Sequence, residues 1–487
     1  MDKKIISLIS LSLLVSLISS GCGNVVESEN TSNTPSTNTT VSTTSKSVEK
    51  PAKITMMVDG TLVDQENGRD TFEAQWEALT GIDLEIIQPG HDIYYDEVKK
   101  SFDSGDLPDV VLLNSTYYTS YAAEYMLADI TSYYEGSDLQ KRIAANGTES
   151  LIDGIKLNGK LYGITPTRGN GCVTYIKKKW LDNVNLEPPA NYEEYLNMLK
   201  AFSEGDPDGN GIDGDTYGVS AAGIISNEAP YTNYLPEFYQ DAYPSFYRTS
   251  EGKWADGFTD DSMKAALERL REAYQNGYID EAISENSTSN CRDKFYANEF
   301  GVFTYWAGTW AKTLSDKLID AGVDGELVAI PPIAETGNYL ERVAPVWCIT
   351  SRCKNPAGVY KYFIETMLDG GEMEYLWTFK PEVDDYSKNH IDHMLAIVPL
   401  ENNPGSSKVT ENQADALKIF NENSIMADLV TATEAYTLYS DKLWELKKEL
   451  VKKVVVDGED IDTAYSEFDS SGGTYMSDAI VISLNAE

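Results

Sequence analysis

The sequence predicts an α/β protein, and three observations carry that prediction. Strand and helix patterns alternate through the first part of the globular body. A break at Pro166 and Gly169 is followed by a second stretch of the same kind. Roughly 435 residues lie beyond residue 50, enough for two or three domains with cores of their own.

Residues 53–59, KITMMVD, read as a strand ending at the polar pair Asp59-Gly60. In 70–80, Phe72, Trp76 and Leu79 recur at helical spacing, and Gly81 marks the stop. A strand over 82–87, a helix over 94–102 and a buried strand over 110–113 follow. Strand, helix, strand, helix, strand at this spacing predicts a parallel sheet, which presents ligand contacts in the loops at its strand C-termini. Those loops hold Asp59, Gly60, Asn114, Ser115, Tyr117 and Tyr118. Next come a helix over 120–126, an apolar stretch at 161–164, the break containing Arg168, and a strand over 172–176. The first crossover between lobes is placed at that break. Further on, 192–202 and 262–276 are helical, the latter with Met263, Ala266, Leu270 and Tyr274 on one side. Residues 299–314 are a strand running into Trp306, Gly308 and Trp310, and 344–350 a strand containing Trp347. Residues 356–367 and 441–455 complete the helices, and no internal repeat is seen.

The loop 206–215, DPDGNGIDGD, places Asp206, Asp208 and Asn210 at alternate positions, with Gly211 next. Oxygen ligands at positions one, three and five, with a turn glycine at six, are how a short loop surrounds calcium. Position twelve of an EF-hand is a bidentate Glu, and here it is Tyr217, so the pattern is a calcium loop of another kind. Asp213 or Asp215 would supply the late carboxylate and Ile212 a carbonyl. The alternative is an Asx/Gly turn that binds nothing.

At the N-terminus, Lys3 and Lys4 precede an apolar run over 5–18 and then Ser19-Ser20-Gly21-Cys22. This is a secretory signal, too short for a comfortable membrane span. It resembles a bacterial lipobox with Cys22 as the lipidated residue, although Ser19 stands where Leu is usual; a plain signal with an incidental Cys is the alternative. Residues 28–50 are almost all Ser, Thr and Asn and form a flexible tether. Asp plus Glu total 78 against 39 Lys plus Arg, a net charge of −39, which disfavours nucleic acid and anionic lipid as partners. It also argues against anionic glycans such as uronates, save where local charge at a cleft differs. Cys172, Cys291, Cys348 and Cys353 are too few for a disulfide scaffold and read as small buried thiols, with a single bridge as the alternative. His91, His390 and His393 read as surface residues with no zinc site.

Several stretches then carry a resemblance: GDLPDVV at 105–111, GKLYGIT through DPDGNGIDGDTYGV within 158–219, the glycine-aromatic strand at 299–314, and KNPAGVYKYF with its aromatic sequel at 354–377. In this order they resemble the extracellular solute-binding proteins of carbohydrate ABC transporters, in the large oligosaccharide-binding branch. The resemblance covers most of 52–380 and little of the last hundred residues. It implies a two-lobed periplasmic-binding-protein-like fold with a hinge and an inter-lobe ligand cleft. Its segments would be a signal peptide (1–21), lipidated Cys and linker (22–50), lobe 1 (51–165), lobe 2 (166–340), lobe 1 again (341–378) and lobe 2 again (379–487). It implies no enzyme activity, delivery of an oligosaccharide to permease subunits, and a structural calcium held by Asp206, Asp208, Asn210, the Ile212 carbonyl and Asp215, with Asp213 as fallback. One complete cleft per chain makes a monomer the default. Expected ligand contacts are Asp59, Asn114, Tyr117, Arg168, Trp254, Trp306, Trp310 and Trp347, because Tyr and Trp offer flat faces with a polar edge. Arg168 would bond a sugar hydroxyl or pair with a carboxylate. Trp76 and Trp180 read as core, and Trp254, in the polar stretch EGKWADG, as cleft rim. The rivals are a secreted glycosidase, for which no GxSxG, HExxH or Cys/His arrangement is present, and the same fold serving a peptide, another solute, adhesion or sensing.

Overall fold

Burial alternates along 53–56 and is continuous over the apolar run at 110–113, and the two strands pair in parallel. A computed structural model of the chain describes residues 48–59, 69–90, 93–165, 169–226, 234–377 and 410–486. Cys22, Gly60, His91, Arg168, His390 and His393 lie outside these described residues. The strands are β1 (Lys53–Met57), β2 (Asp83–Ile87), β3 (Val110–Leu113), β4 (Gly163–Ile164), β5 (Cys172–Lys177), β6 (Tyr217–Val219) and β7 (Phe246–Arg248). The remainder are β8 (Trp254–Asp256), β9 (Phe300–Trp306), β10 (Leu327–Ile330), β11 (Tyr339–Glu341), β12 (Val346–Ile349) and β13 (Ser424–Met426).

Two main sheets result. The first has the order β2-β1-β3-β12-β4, with β1 parallel to β2 and β3, and β12 antiparallel to both β3 and β4. The second has the order β10-β5-β9-β6, with β5 antiparallel to β9 and β6 parallel to β9. Each sheet has its own apolar core. Trp76, Trp347, Phe363 and Trp377 pack under the first, with Trp76 and Trp377 centroids 5.4 Å apart. Trp180 meets Phe202 edge-on at 5.3 Å under the second. Cys172, Cys291 and Cys348 are buried free thiols, and Cys353 is a half-buried one.

The chain passes between the sheets from β4 to β5 and back from β11 to β12. A third segment runs at 424–430, where β13 pairs in parallel with β11 and Leu429 packs on the first core. The helices Glu434–Val455, Ile461–Ser470 and Gly473–Ala486 pack on the second core and on the β7–β8 hairpin. A buried ion pair fixes that hairpin: Lys447 Nζ lies 2.7 Å from Asp256 Oδ1, and Ser477 donates to Asp256 Oδ2 at 2.8 Å. Among the described residues no helix is long and apolar enough to cross a membrane.

Two elements differ from the sequence reading. The helix expected over 120–126 is Ser115–Ala123, because Asn114 caps it by accepting from Tyr117 N–H at 3.0 Å. The pattern over 299–314 splits after Trp306, where Gly308 at φ 79° turns the chain into the helix Thr309–Asp320.

Gly301 tests the fit of β9 to its core. A Cβ there would meet the Trp180 ring at 2.4 Å and the Phe202 ring at 2.6 Å. Gly301→Ala is expected to destabilise the second lobe by about 1–3 kcal/mol through overpacking, read as a lower midpoint in thermal or urea unfolding.

Candidate functional site: a cleft between two sheets

The register shows where the lobes face each other. Val346 lies opposite Leu113, the C-terminal end of β3, and Cys172 opposite Trp306, the C-terminal end of β9. Both crossovers therefore leave the sheets at the ends where the parallel strands present their loops. A cavity of about 390 Å³ lies there, within the usual size of a ligand site. The first lobe contributes Ser115, Thr116, Thr119 and Ser120 from one face of the capped helix. The second contributes Tyr243, Ser245, Phe246, Tyr436, Thr437, Ser440 and Asp441, and the connecting segments supply Arg342, Val343 and residues 427–430. A second hollow of about 670 Å³ adjoins it across Ala427, Asp428 and Leu429, and also has both lobes in its walls, with Asn158 and Lys156 facing Arg248 and Trp254. A groove of about 590 Å³ between β10 and the helix Glu411–Asn423 opens on the second lobe alone.

Hydroxyl groups dominate the first cavity, and two aromatic rings, Phe246 and Tyr436, meet there at 6.1 Å. Arg342 stands on the β11–β12 crossover with its guanidinium 4.5 Å over the Trp306 ring. Its Nε is buried and has no hydrogen-bond partner among the described residues.

The expected contacts separate on inspection. Trp306, half-buried at the end of β9, reaches the cavity wall through Arg342. Trp310 lies in the first turn of Thr309–Asp320, edge-on to Tyr305 at 5.0 Å, with the Arg292 guanidinium 5.0 Å over its ring. Trp254 is a strand residue of the β7–β8 hairpin, 5% exposed, and not a loop residue; it nevertheless lines the second hollow. Asp59 follows β1, half-buried, beside the phenol of Tyr94, whose hydroxyl ties β1 to β3 by donating to Leu112 O at 2.7 Å. Asn114 spends its side-chain oxygen on the helix cap. Tyr117 is a correction. It shares the helix face of Tyr121, stacks on Tyr95 at 4.8 Å and turns away from the face that lines the cavity. Trp347 is also corrected: at 2% exposed it lies in β12 between Leu112 and Ile164 and packs on Phe363 and Trp377. A strand buried on both sides offers no ring to a cleft. Sequence reasoning missed Arg342, Arg248, Tyr243 and Tyr436. An Arg between two strand patterns just before Pro345 was the one available signal, and the tyrosines carry none.

The acid loop curls on itself. Asp206 Oδ2 accepts from Gly211 N at 2.9 Å, Asn210 Nδ2 donates to Asp215 Oδ2 at 2.8 Å, and Asn210 Oδ1 accepts from Ile212 N at 2.8 Å. Asp206 Oδ1 is buried without a partner. Burial raises the Asp208 carboxyl, and the neighbouring Asp206 and Asp215 raise it further. An orphaned carboxylate oxygen among mutually repelling acids fits a cation in the loop. Asp213 is exposed and outside these contacts. Among the described residues no three acidic, His or Cys groups are gathered closely enough for a metal. Because β6 and β9 start together at Tyr217 and Phe300, the loop lies at the opposite end of the second sheet from Trp306, about 20 Å along the strand.

Against known proteins, residues 69–381 match the model of the bacterial extracellular solute-binding protein family. The chain belongs to that family. Relatives include the polygalacturonan/rhamnogalacturonan-binding protein YtcQ of Bacillus subtilis (strain 168), 26% identical over 247 residues, 50% of this chain and 48% of that protein. The chain thus spans about half the length of the curated relatives it matches. Solved structures with the same fold include a solute-binding protein for HMO from Bifidobacterium longum infantis (TM-score 0.64, 15% identity, 89% of this chain and 98% of that one). Another is an EF-hand mutant of the Streptococcus pneumoniae ABC-transporter substrate-binding protein FusA in complex with fructo-nystose (TM-score 0.57, 18% identity, 89% and 98%).

One buried acid near the crossover predicts a pH dependence. Glu237 is 1% exposed, accepts from Thr174 Oγ1 at 2.6 Å, and has Oε2 beside the Tyr195 hydroxyl without hydrogen-bond geometry between them. Burial pushes its carboxyl up to about 7. The folded chain then holds a proton that the unfolded chain has released, so stability falls as pH rises from the unfolded value toward 7 and is level beyond it. The loss is about 3 kcal/mol. Glu237→Gln is expected to remove that slope, seen as thermal midpoints that no longer fall between about pH 5 and about pH 8 relative to the parent chain.

Proposed function

We propose that the chain is an extracellular substrate-binding protein that captures an oligosaccharide between its lobes and hands it to the permease of an ABC importer. The observation that carries this reading is the cavity at the strand ends of both sheets, walled by hydroxyl groups, aromatic rings and one arginine. Such a surface exchanges hydrogen bonds with sugar hydroxyls and covers ring faces. The names of YtcQ and FusA, both carbohydrate binders, support it. The chain is not an enzyme on this reading, and it works as a monomer. Cys22 carries a lipid and 28–50 tethers the body to the outer face of the membrane, on the strength of the signal-like sequence before it. The lobes close on ligand as a hinge, the closed form selected by contacts on both sides.

Calcium belongs to the 206–215 loop, held by Asp206, Asp208, Asn210, Asp215 and the Ile212 carbonyl. Its charge there offsets the crowded carboxylates and braces the entry to β6. The orphaned Asp206 oxygen and the EF-hand of FusA support this.

Thermal unfolding of the body against oligosaccharide and peptide panels tests the reading, since a ligand of the native state raises the midpoint. A shift with one glycan class is expected; a shift with peptides alone would replace the sugar with a peptide. Trp306→Ala and Trp310→Ala are each expected to weaken glycan affinity by about tenfold or more in calorimetric titration. Untouched affinity in both would remove these rings from the site. Calcium chelation is expected to cost about 2.7 kcal/mol relative to calcium held about a hundredfold above its Kd, with glycan affinity unchanged. Loss of binding by a still-folded chain would place the ion in the sugar site.

A further inference from the structure

Arginine placement in the cleft deepens the carbohydrate reading, on which the following rests. The two adjoining hollows share Ala427, Asp428 and Leu429, and each has a guanidinium laid on a tryptophan ring in its wall: Arg342 over Trp306 at 4.5 Å and Arg248 over Trp254 at 4.7 Å. Among the described residues neither guanidinium forms an ion pair or a hydrogen bond. In a chain with twice as many acids as bases, that is the reverse of what random surface pairing gives. Elsewhere Arg142 and Arg269 donate to backbone carbonyls, and Arg292 to the Tyr305 hydroxyl.

Asp428 and Asp441 line the same cavity as Arg342 and pair with it in neither case. Asp428 already accepts from the Arg248 backbone N–H at 2.7 Å. Stacking on an aromatic face fixes the plane of a guanidinium while leaving its N–H edge free, and that edge matches a carboxylate. A buried Nε–H with no acceptor is costly to leave unmade, and an ionised acceptor repays it best.

We propose that the cleft selects an acidic oligosaccharide, a uronate-containing chain, and that Arg342 and Arg248 are the residues that read its carboxylates. The two hollows share wall residues, so one chain laid across them would meet both. Overall negative charge opposes such a ligand at long range, but screening confines that to slower encounter, while the contact itself is set by the two local cations.

Calorimetric titration of the folded body decides this, using tetramers of oligogalacturonate and oligoalginate and the same tetramers with carboxyls reduced to alcohols. At least one acid form is expected to bind about tenfold or more tightly than its reduced form. Arg342→Gln and Arg248→Gln are each expected to shrink that ratio while sparing the reduced form, and Arg342→Lys to recover only part of it because the fork is lost. A reduced or other neutral glycan bound as tightly as every acid overturns the inference and leaves the carbohydrate reading standing. Failure of acidic and neutral glycans alike overturns both.

Discussion

The structure depends on a backbone-to-backbone contact at the crossover, and glycine makes it. A Cβ on Gly169 would lie 1.6 Å from Arg342 O, and one on Gly171 would lie 2.3 Å from Leu340 O and 2.4 Å from the Phe420 ring. Two of the segments that connect the lobes are therefore pressed together with no side chain between them. Arg342 N donates to Asn170 O at 3.1 Å, and Gly171 bridges Glu341. This contact puts Arg342 on Trp306, sets the mouth of the cavity, and brings β13 alongside β11. Two separate cores joined by close-packed connecting backbone are what a hinge requires, since bending there disturbs few packed side chains.

Much of the first lobe was legible in the sequence because its signals are local. β3, buried throughout, is a short apolar run, β2 alternates apolar with exposed residues, and the helices between the strands declare themselves by Phe72, Trp76 and Leu79 or by Val98 and Phe102 on one side. The antiparallel insertion of β12 between β3 and β4 is not local, and that is why Trp347 misled. Its strand was expected, but pairing on both edges beneath Phe363 and Trp377 is decided by residues far away in sequence. Asn114 shows the opposite error. Its capping signal was present and local, and reading 114–118 as open loop assigned to ligand a residue that is completing a helix.

The cleft was legible in position and only partly in composition. Trp254 lines it and Trp306 reaches it through Arg342, while the hydroxyl face Ser115, Thr116, Thr119 and Ser120 follows from a helix whose start was misplaced by five residues. Tyr436 comes from the last hundred residues, whose helices pack on the second lobe through non-local contacts such as the buried Lys447–Asp256 pair. No periodicity within 434–455 tells which turn will overlook a cavity.

Sheet direction separates the two candidate binding features. β6 and β9 run parallel from a common start, so the acid loop that leads into β6 and the Trp306 that ends β9 occupy opposite ends of one sheet. Acidic side chains concentrated at the far end suit a cation, and free guanidinium edges at the cleft end suit an anion. In a chain whose net charge is −39, water and salt screen the acid loop from the arginines over about 20 Å, twice the screening length at moderate ionic strength, so each group meets its own immediate neighbours. Net charge describes how such a protein meets its surroundings; what it holds is set within a few ångströms of Arg342 and of Asp206.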